Sequence, residues 1–522
     1  MGEAGGRSRW TVILVALSCV VVVSCASSAA PQQTGVPTLA APPTPTVSPA
    51  PATPTLAPTA APTDGPIDQP TTTATATDSP QPATPSPASP VTGLSVDPAD
   101  IEQHLDALQQ IADDNGGIRA AGTPGYDASA DYVAEQLAAM GYAVKRQPVD
   151  FTFFDEDAPV TLKVGDADWS GGEWLHSMLY GAEGQVTGIP EAIAIRDFQP
   201  TDSAGCDPLD WRAFDTGHVA LVMGGTCFAR DKVLLAQEAG ATALILMVST
   251  WDAGHIRRPS LLNPAAIEIP AIAVGSDPIS ELLDAARAGT AIELSADVHE
   301  APATVDNVIA ELPGSNGEVV MLGGHLDSVL DGPGINDNGS GVATLMAMAE
   351  AAAGQRSPVA TIRFAFWAAE EFGTLGSESY VAGLSATERE RIKVYLNLDM
   401  VGSPNAGRYV YATSDVPSDS MSARVTTLLL DSFEELGAPA APAELGGGSD
   451  DVQFDVVGIP TGGVFSGLAP LTVFEAETFG GQANLPADPC YHLACDTRSN
   501  ANTNTATLFG SAVAAVLEEL AY

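Results

Sequence analysis

Three short apolar runs in the second half of the chain, with a helical run between the first two, set the tightest limit on the fold. Glu318–Leu322, Thr361–Trp367 and Val394–Leu398 are dense in Val, Ile, Leu and Phe, while Ser340–Ala353 has helical length and composition. Dense apolar strands without polar alternation are buried on both faces, as in parallel sheets whose crossovers are helices. The expected architecture is therefore α/β, a mostly parallel mixed sheet with helices on both faces. Ligands in such sheets bind beyond the carboxyl ends of the strands. The residues that leave each run are where chemistry is to be sought.

Upstream, Ile101–Ala112 places Leu105, Leu108 and Ile111 on one helical face. Ser129–Met140 reads as a second helix stopped by Gly141, and Tyr142–Phe154 as a strand. Residues 160–296 form a separate, smaller α/β pattern with strand-like runs His218–Met223, Ala241–Val248 and Ile269–Val274. The expected division is 98–159 and 297–522 for one domain, interrupted by 160–296. The 21 basic against 65 acidic residues give a net charge of −44, which excludes the basic footprint that nucleic-acid binding needs.

Arg7 and Arg9 precede an apolar run from Trp10 to Val23. This reads as an export signal, and at about 14 residues it falls short of the ~20 that cross a bilayer. Val22-Val23-Ser24-Cys25 resembles a bacterial lipobox, with Val22 where Leu is usual. Residues 1–25 are thus expected as an export signal with a lipobox, the protein being either a cell-envelope lipoprotein whose only tie to a membrane is an anchor at Cys25, or, if the signal is an ordinary cleaved one, secreted. Residues 31–90 hold 17 of the 40 prolines and no Lys, Arg or aromatic residue, so 26–97 is expected as a disordered tether. Of the six cysteines, Cys19 and Cys25 belong to the signal. Sequence proximity pairs Cys206 with Cys227 and Cys490 with Cys495 as disulfides, which export permits. Neither pair has the C-x-x-C spacing of a thiolate metal site.

Chemistry-bearing residues follow the strands. Met321 to Asp327 ends in His325-Leu326-Asp327; Gly334 to Gly341 carries Asp337 into a helix. Phe364 to Glu371 ends in Glu370 and Glu371, and Tyr395 to Asp399 in one carboxylate. Cys490-Tyr491-His492-Leu493-Ala494-Cys495 supplies a second histidine. A hydrolytic pair of cations needs an anionic bridge, terminal nitrogen and oxygen ligands, and a further carboxylate to take a proton from water. Two histidines and four carboxylates meet that count. His104, His176, His218, His255 and His299 lack such company.

From His325 to Thr507 the chain closely resembles the secreted dizinc aminopeptidases, of the bacterial leucyl aminopeptidase and aminopeptidase Y type. Gly225-Thr226-Cys227-Phe228, Lys232, Ala236 and Gly240-Ala241 are similar to the protease-associated domain, which implies a lid or substrate-access module. The resemblance implies the zinc-exopeptidase fold and two Zn2+. His325 and Asp399 would hold one, Glu371 and His492 the other, with Asp337 bridging. Glu370 would be the general base, Asp327 would orient His325, and Tyr491 would hydrogen-bond the oxyanion. The peptide bond after Asp337 would be cis. Glu370 and Asp399 would hold the free α-amine of a peptide substrate, and Met400 and Phe465 would line an apolar pocket for its first side chain. Relatives carry Arg-Ser-Asp-His where this chain has Gly448-Ser449-Asp450-Asp451, so no role passes to Gly448. Thr507 stands where a calcium-binding carboxylate would be, so no calcium is expected. The activity expected is an exported zinc aminopeptidase. A glutamate-carboxypeptidase type ranks below it, because it needs basic residues for substrate carboxylates and a long helical C-terminal domain, and about 30 residues follow His492. A non-enzymatic receptor on the same fold ranks lowest, since all five ligands are present.

Overall fold

A computed structural model describes residues 93–171, 174–196, 199–201, 203–248, 256–355, 357–412, 416–444 and 448–522. The signal, Cys25 and the tether up to residue 92 lie outside the described residues. No described helix is long and apolar enough to cross a membrane.

The larger of two main sheets has ten strands. At its centre Thr361–Trp367, Val319–His325, Ile392–Leu398 and Thr461–Phe465 run parallel. Antiparallel strands flank them: Tyr409–Tyr411 on one side and Ile292–Leu312 on the other. The parallel character read from the apolar runs thus belongs to the centre of a mixed sheet. Period-two alternation distributes the side chains. Val320, Leu322, Phe364, Phe366, Leu396 and Leu398 join the core cluster that includes Leu345, Val425 and Leu517 of the helices Gly339–Ala353, Met421–Glu435 and Thr503–Ala521. Val319, Met321, Ala365, Trp367 and Tyr395 face the other way, against Tyr380 and Phe454 of two shorter helices, Leu375–Gly383 and Asp451–Val456.

The two upstream helices start earlier than expected, at Pro98 and Pro124, because Pro at the first helical position fits the helix while costing no hydrogen bond. The strand expected to stop at Phe154 runs on to Val164. Asp155-Glu156-Asp157 interrupt its apolar pattern, but Val160, Leu162 and Val164 resume burial on alternate positions. Its partner is Ile292–Leu312, and the ladder runs from Ala143 opposite Glu311 to Val164 opposite Ile292. One continuous two-stranded ribbon therefore passes through the expected junctions near 160 and 296.

Beyond that ribbon lies a five-stranded sheet in the order Leu175–Ser177, Ala271–Val274, Ala243–Met247, Val219–Met223, Pro190–Ala192. Cys206 is joined to Cys227. The buried Lys232 ammonium donates to Ala204 O at 2.8 Å and Met223 O at 2.6 Å, tying a loop to a strand end. That bridging explains why a lysine follows the Cys-Phe pair.

Candidate active site

Three central strands of the large sheet deliver four polar groups at their ends. His325 closes Val319–His325, Asp399 follows Ile392–Leu398, and Glu370 and Glu371 follow Thr361–Trp367. The turns are tight: Ala369 and Met400 have φ of 53° and 50°, and His492 has 58°. Such left-handed backbone in non-glycine residues is held only where surrounding structure demands it. Gly324 permits the approach of these ends, since a Cβ there would lie 2.4 Å from Leu398 O. Asp337 sits just before the helix Gly339–Ala353, and its peptide bond to Asn338 is cis. Asp496 accepts from the backbone N–H groups of both Asn336 and Asp337, each at 2.9 Å.

The groups converge. His325 Nε2 lies 3.2 Å from Asp337 Oδ1 and 3.4 Å from Asp399 Oδ1. His492 Nε2 lies 3.1 Å from Asp337 Oδ2 and 3.1 Å from Glu371 Oε2. Asp337 thus turns one oxygen to each imidazole. Two ligand triads result, His325–Asp337–Asp399 and Asp337–Glu371–His492, each with its atoms within 4.8 Å of one another. Glu370 stands beside them, grouped with His325 and Glu371 at the same spacing. The Asp327 carboxylate faces His325 on one side and the amides that follow Trp367 on the other. Its two oxygens accept from Glu370 N at 3.1 Å and Glu371 N at 3.2 Å. His325 Nδ1 meets the Asp327 main-chain carbonyl at 3.1 Å and its carboxylate at 3.7 Å, an ion-pair distance.

Electrostatics follow from burial of so many acids. Burial lowers the basicity of His492, but Glu371 and Asp337 outweigh it and push the imidazole up to about 10. His325 is likewise raised well above its usual range, burial being overcome by Asp399 and its other carboxylate neighbours. Burial, reinforced by Glu371, Asp450 and Asp399, drives Glu370 well above the ordinary carboxylate range. Burial also lifts Tyr491 well above a free phenol, with Asp337 and Glu371 adding to it.

The residues fit a metal centre. Glu371 Oε1 and Asp399 Oδ1 are buried oxygens without a hydrogen-bond partner, so both are open to a cation that would satisfy them. Imidazole nitrogen with carboxylate oxygen is the donor set that suits zinc. A second grouping, Glu191, Asp215 and His218, lies in the smaller sheet's domain. There Asp215 N at 3.0 Å and His218 Nδ1 at 3.1 Å both lie on Glu191 Oε2, so this cluster is already internally bonded.

The cluster floors a cavity of about 720 Å³. Met400, Phe465 and Leu468 line one part, and Phe228 and Leu262 reach in from the smaller domain. Phe228 remains 70% exposed despite its size. Sequence reasoning missed Ser449, which donates to Asp399 Oδ2 at 2.7 Å and is itself held by Asn397 Nδ2 at 2.8 Å. It also missed Asp496, although its position next to Cys495 was a usable signal.

Comparison with known proteins agrees with this geometry. Residues 307–517 match the model of Peptidase family M28, and residues 191–282 match that of the PA domain. The chain is 34% identical over 430 residues to an aminopeptidase of Pseudomonas aeruginosa, covering 80% of each. It is 35% identical over 425 residues to a Mycobacterium tuberculosis protein named a probable lipoprotein aminopeptidase, covering 79% of this chain and 82% of that one. Its fold matches that of a zinc aminopeptidase from Bacillus subtilis with a TM-score of 0.63 at 24% identity, covering 82% of this chain and 96% of that one. With that identity sustained across four-fifths of both sequences, this chain belongs to peptidase family M28, in the branch that carries a PA domain.

Proposed function

We propose that the protein is an exported zinc aminopeptidase that releases an apolar N-terminal residue from peptides. The observation that carries this reading is the pair of ligand triads sharing Asp337, with Glu370 left over beside them. His325 and Asp399 would hold one zinc, Glu371 and His492 the second, and Asp337 both. Zinc, when bound there, polarises a carbonyl and acidifies water.

The chain's own groups do the rest. Glu370, made basic by burial and neighbouring acids, takes the proton of the attacking water and gives it to the leaving amine as the C–N bond breaks. Tyr491, kept protonated by its surroundings, donates its hydroxyl proton in a hydrogen bond to the oxyanion. Asp399 and Glu370 offer carboxyl oxygens where a substrate's α-ammonium would lie, which would restrict cleavage to a free N-terminus. Met400 and Phe465, both lining the cavity, would receive the first side chain. Asp327 orders both glutamates through their amides. Residues 1–25 and 26–97 would export and tether the enzyme through Cys25. The name of the Mycobacterium tuberculosis relative supports that reading, as do the disulfides Cys206–Cys227 and Cys490–Cys495.

The test is a panel of aminoacyl and N-blocked chromogenic substrates, with and without chelator. Leucyl and related apolar substrates are expected to be cleaved, blocked ones spared, and activity lost to chelator and restored by zinc. Hydrolysis of blocked peptides or release of C-terminal residues would overturn the aminopeptidase reading.

The disulfide Cys490–Cys495 brackets Tyr491 and His492. We propose that it preorganises this loop. The Cys490→Ser/Cys495→Ser double variant is expected to lose about tenfold in kcat/KM, a loss in the range that misplacing reacting groups produces, without unfolding the sheet. Unchanged kinetics with an intact circular dichroism spectrum would reduce the disulfide to a staple.

A further inference from the structure

We infer that Arg257, carried by the PA insert, is a positioning residue for Tyr491, so that the insert completes the oxyanion side of the catalytic site. The inference rests on reading Tyr491 as the oxyanion donor and adds to it a residue that reaches the loop from 234 positions earlier in the chain.

Two contacts define the relation. Arg257 Nε donates to the main-chain oxygen of Tyr491 at 3.0 Å, and its guanidinium carbon lies 4.9 Å from the centre of the Tyr491 ring. The ring also stacks on His492 at 3.8 Å. A hydrogen bond to the backbone fixes where the loop stands, and a planar cation over the ring fixes how the phenol is turned. Both variables decide whether the hydroxyl reaches a developing oxyanion.

The neighbouring residue anchors the arm. Arg258 donates to Asp331 Oδ1 and Oδ2 at 2.8 and 2.9 Å, to Glu156 Oε1 at 2.8 Å and to Ser177 O at 3.0 Å. Asp331 follows the His325-Leu326-Asp327 strand end, Glu156 lies on the ribbon, and Ser177 on the edge strand of the insert's sheet. The Arg258 side chain is only 10% exposed. Its partners in turn are held below the usual carboxylate range, burial being overcome by Arg258 in both. The segment bearing Arg257 is thus pinned to ribbon, insert and catalytic domain at one point, one residue from the contact with Tyr491.

The test is a double-mutant cycle on the full-length zinc-loaded protein with Arg257→Ala, Tyr491→Phe and the combination. Readouts are kcat, KM, zinc per chain and affinity for an α-amino boronic acid, whose boron turns tetrahedral on binding. Arg257→Ala is expected to lower kcat about fivefold to thirtyfold, as loss of a partly buried cation–π contact together with a hydrogen bond would, with KM within about twofold. Boronic acid affinity should fall with it, as transition-state binding requires, and zinc content should hold. In the Tyr491→Phe background the further loss should be below about twofold, because no hydroxyl remains to be placed. Arg257→Lys keeps the charge but not the planar fork and should leave most of the loss in place. Unchanged kcat in Tyr491→Phe would defeat the oxyanion reading itself. A reduced Tyr491→Phe beside a normal Arg257→Ala would defeat this inference alone. Equal losses in both backgrounds, a change in KM only, loss of zinc, or full recovery in Arg257→Lys would each overturn it as well.

Discussion

Glu370→Gln should lower kcat by about 10²–10⁴ while the protein keeps its zinc, the range that removal of a positioned general base produces. The carboxylate lies within the cluster that groups it with His325 and Glu371, yet the two bridging triads close without it. Its backbone N–H, held by Asp327, is unaffected by the substitution, so the loop should stay in place. The amide is close in size but cannot take a proton from water or return one to the leaving amine. Steady-state kinetics with elemental analysis of the same sample checks both halves of this expectation. Near-normal turnover would remove Glu370 from the base role, and loss of zinc would make it a ligand.

Asp337→Asn is expected to lower kcat/KM by at least about 10³-fold, the several kcal/mol that metal-ion stabilisation of a transition state supplies. Asp337 turns separate oxygens toward His325 and His492, at 3.2 and 3.1 Å. An amide offers one acceptor and, on the other side, a donor that repels both a cation and an N–H. The two triads can then no longer share a ligand, and zinc per chain should fall below that of the parent protein. Retained zinc with full activity would show that the centre does not depend on a shared carboxylate.

Much of this site was legible because strand ends carry it. His325, Glu370, Glu371 and Asp399 each follow a run whose apolar density declares a buried strand. Asp337 and His492 lie in loops whose local sequence gives no periodicity, and only order along the chain and family resemblance mark them. The contacts that hold the ligands were not legible. Ser449 reaches Asp399 across 50 residues, and Asp496 reaches Asp337 across 159. Side-chain polarity alone does not say which distant amide or carboxylate a residue will meet. Asp327 shows the same limit: beside its ion-pair contact with His325, its carboxylate holds the amides of both glutamates, which no local pattern announces. In the fold, the acidic stretch Asp155-Glu156-Asp157 hid the continuation of the ribbon, because partners distant in sequence answer its charge, Arg258 at Glu156 and His299 at Asp157.

The ribbon has a mechanical consequence. A loose linker would let the insert swing like a door, but a continuous antiparallel ladder resists rigid-body rotation, since every degree of swing strains paired amides. Register slips occur at Glu156/Ala158 and Ala158/Thr161. Bulges of this kind are where a strand pair bends and twists. Arg258 clasps Glu156 at that point. Any tilt of the insert would therefore have to twist the two strands at that flexure and part both guanidinium ties, Arg258 to Glu156 and Arg257 to Tyr491.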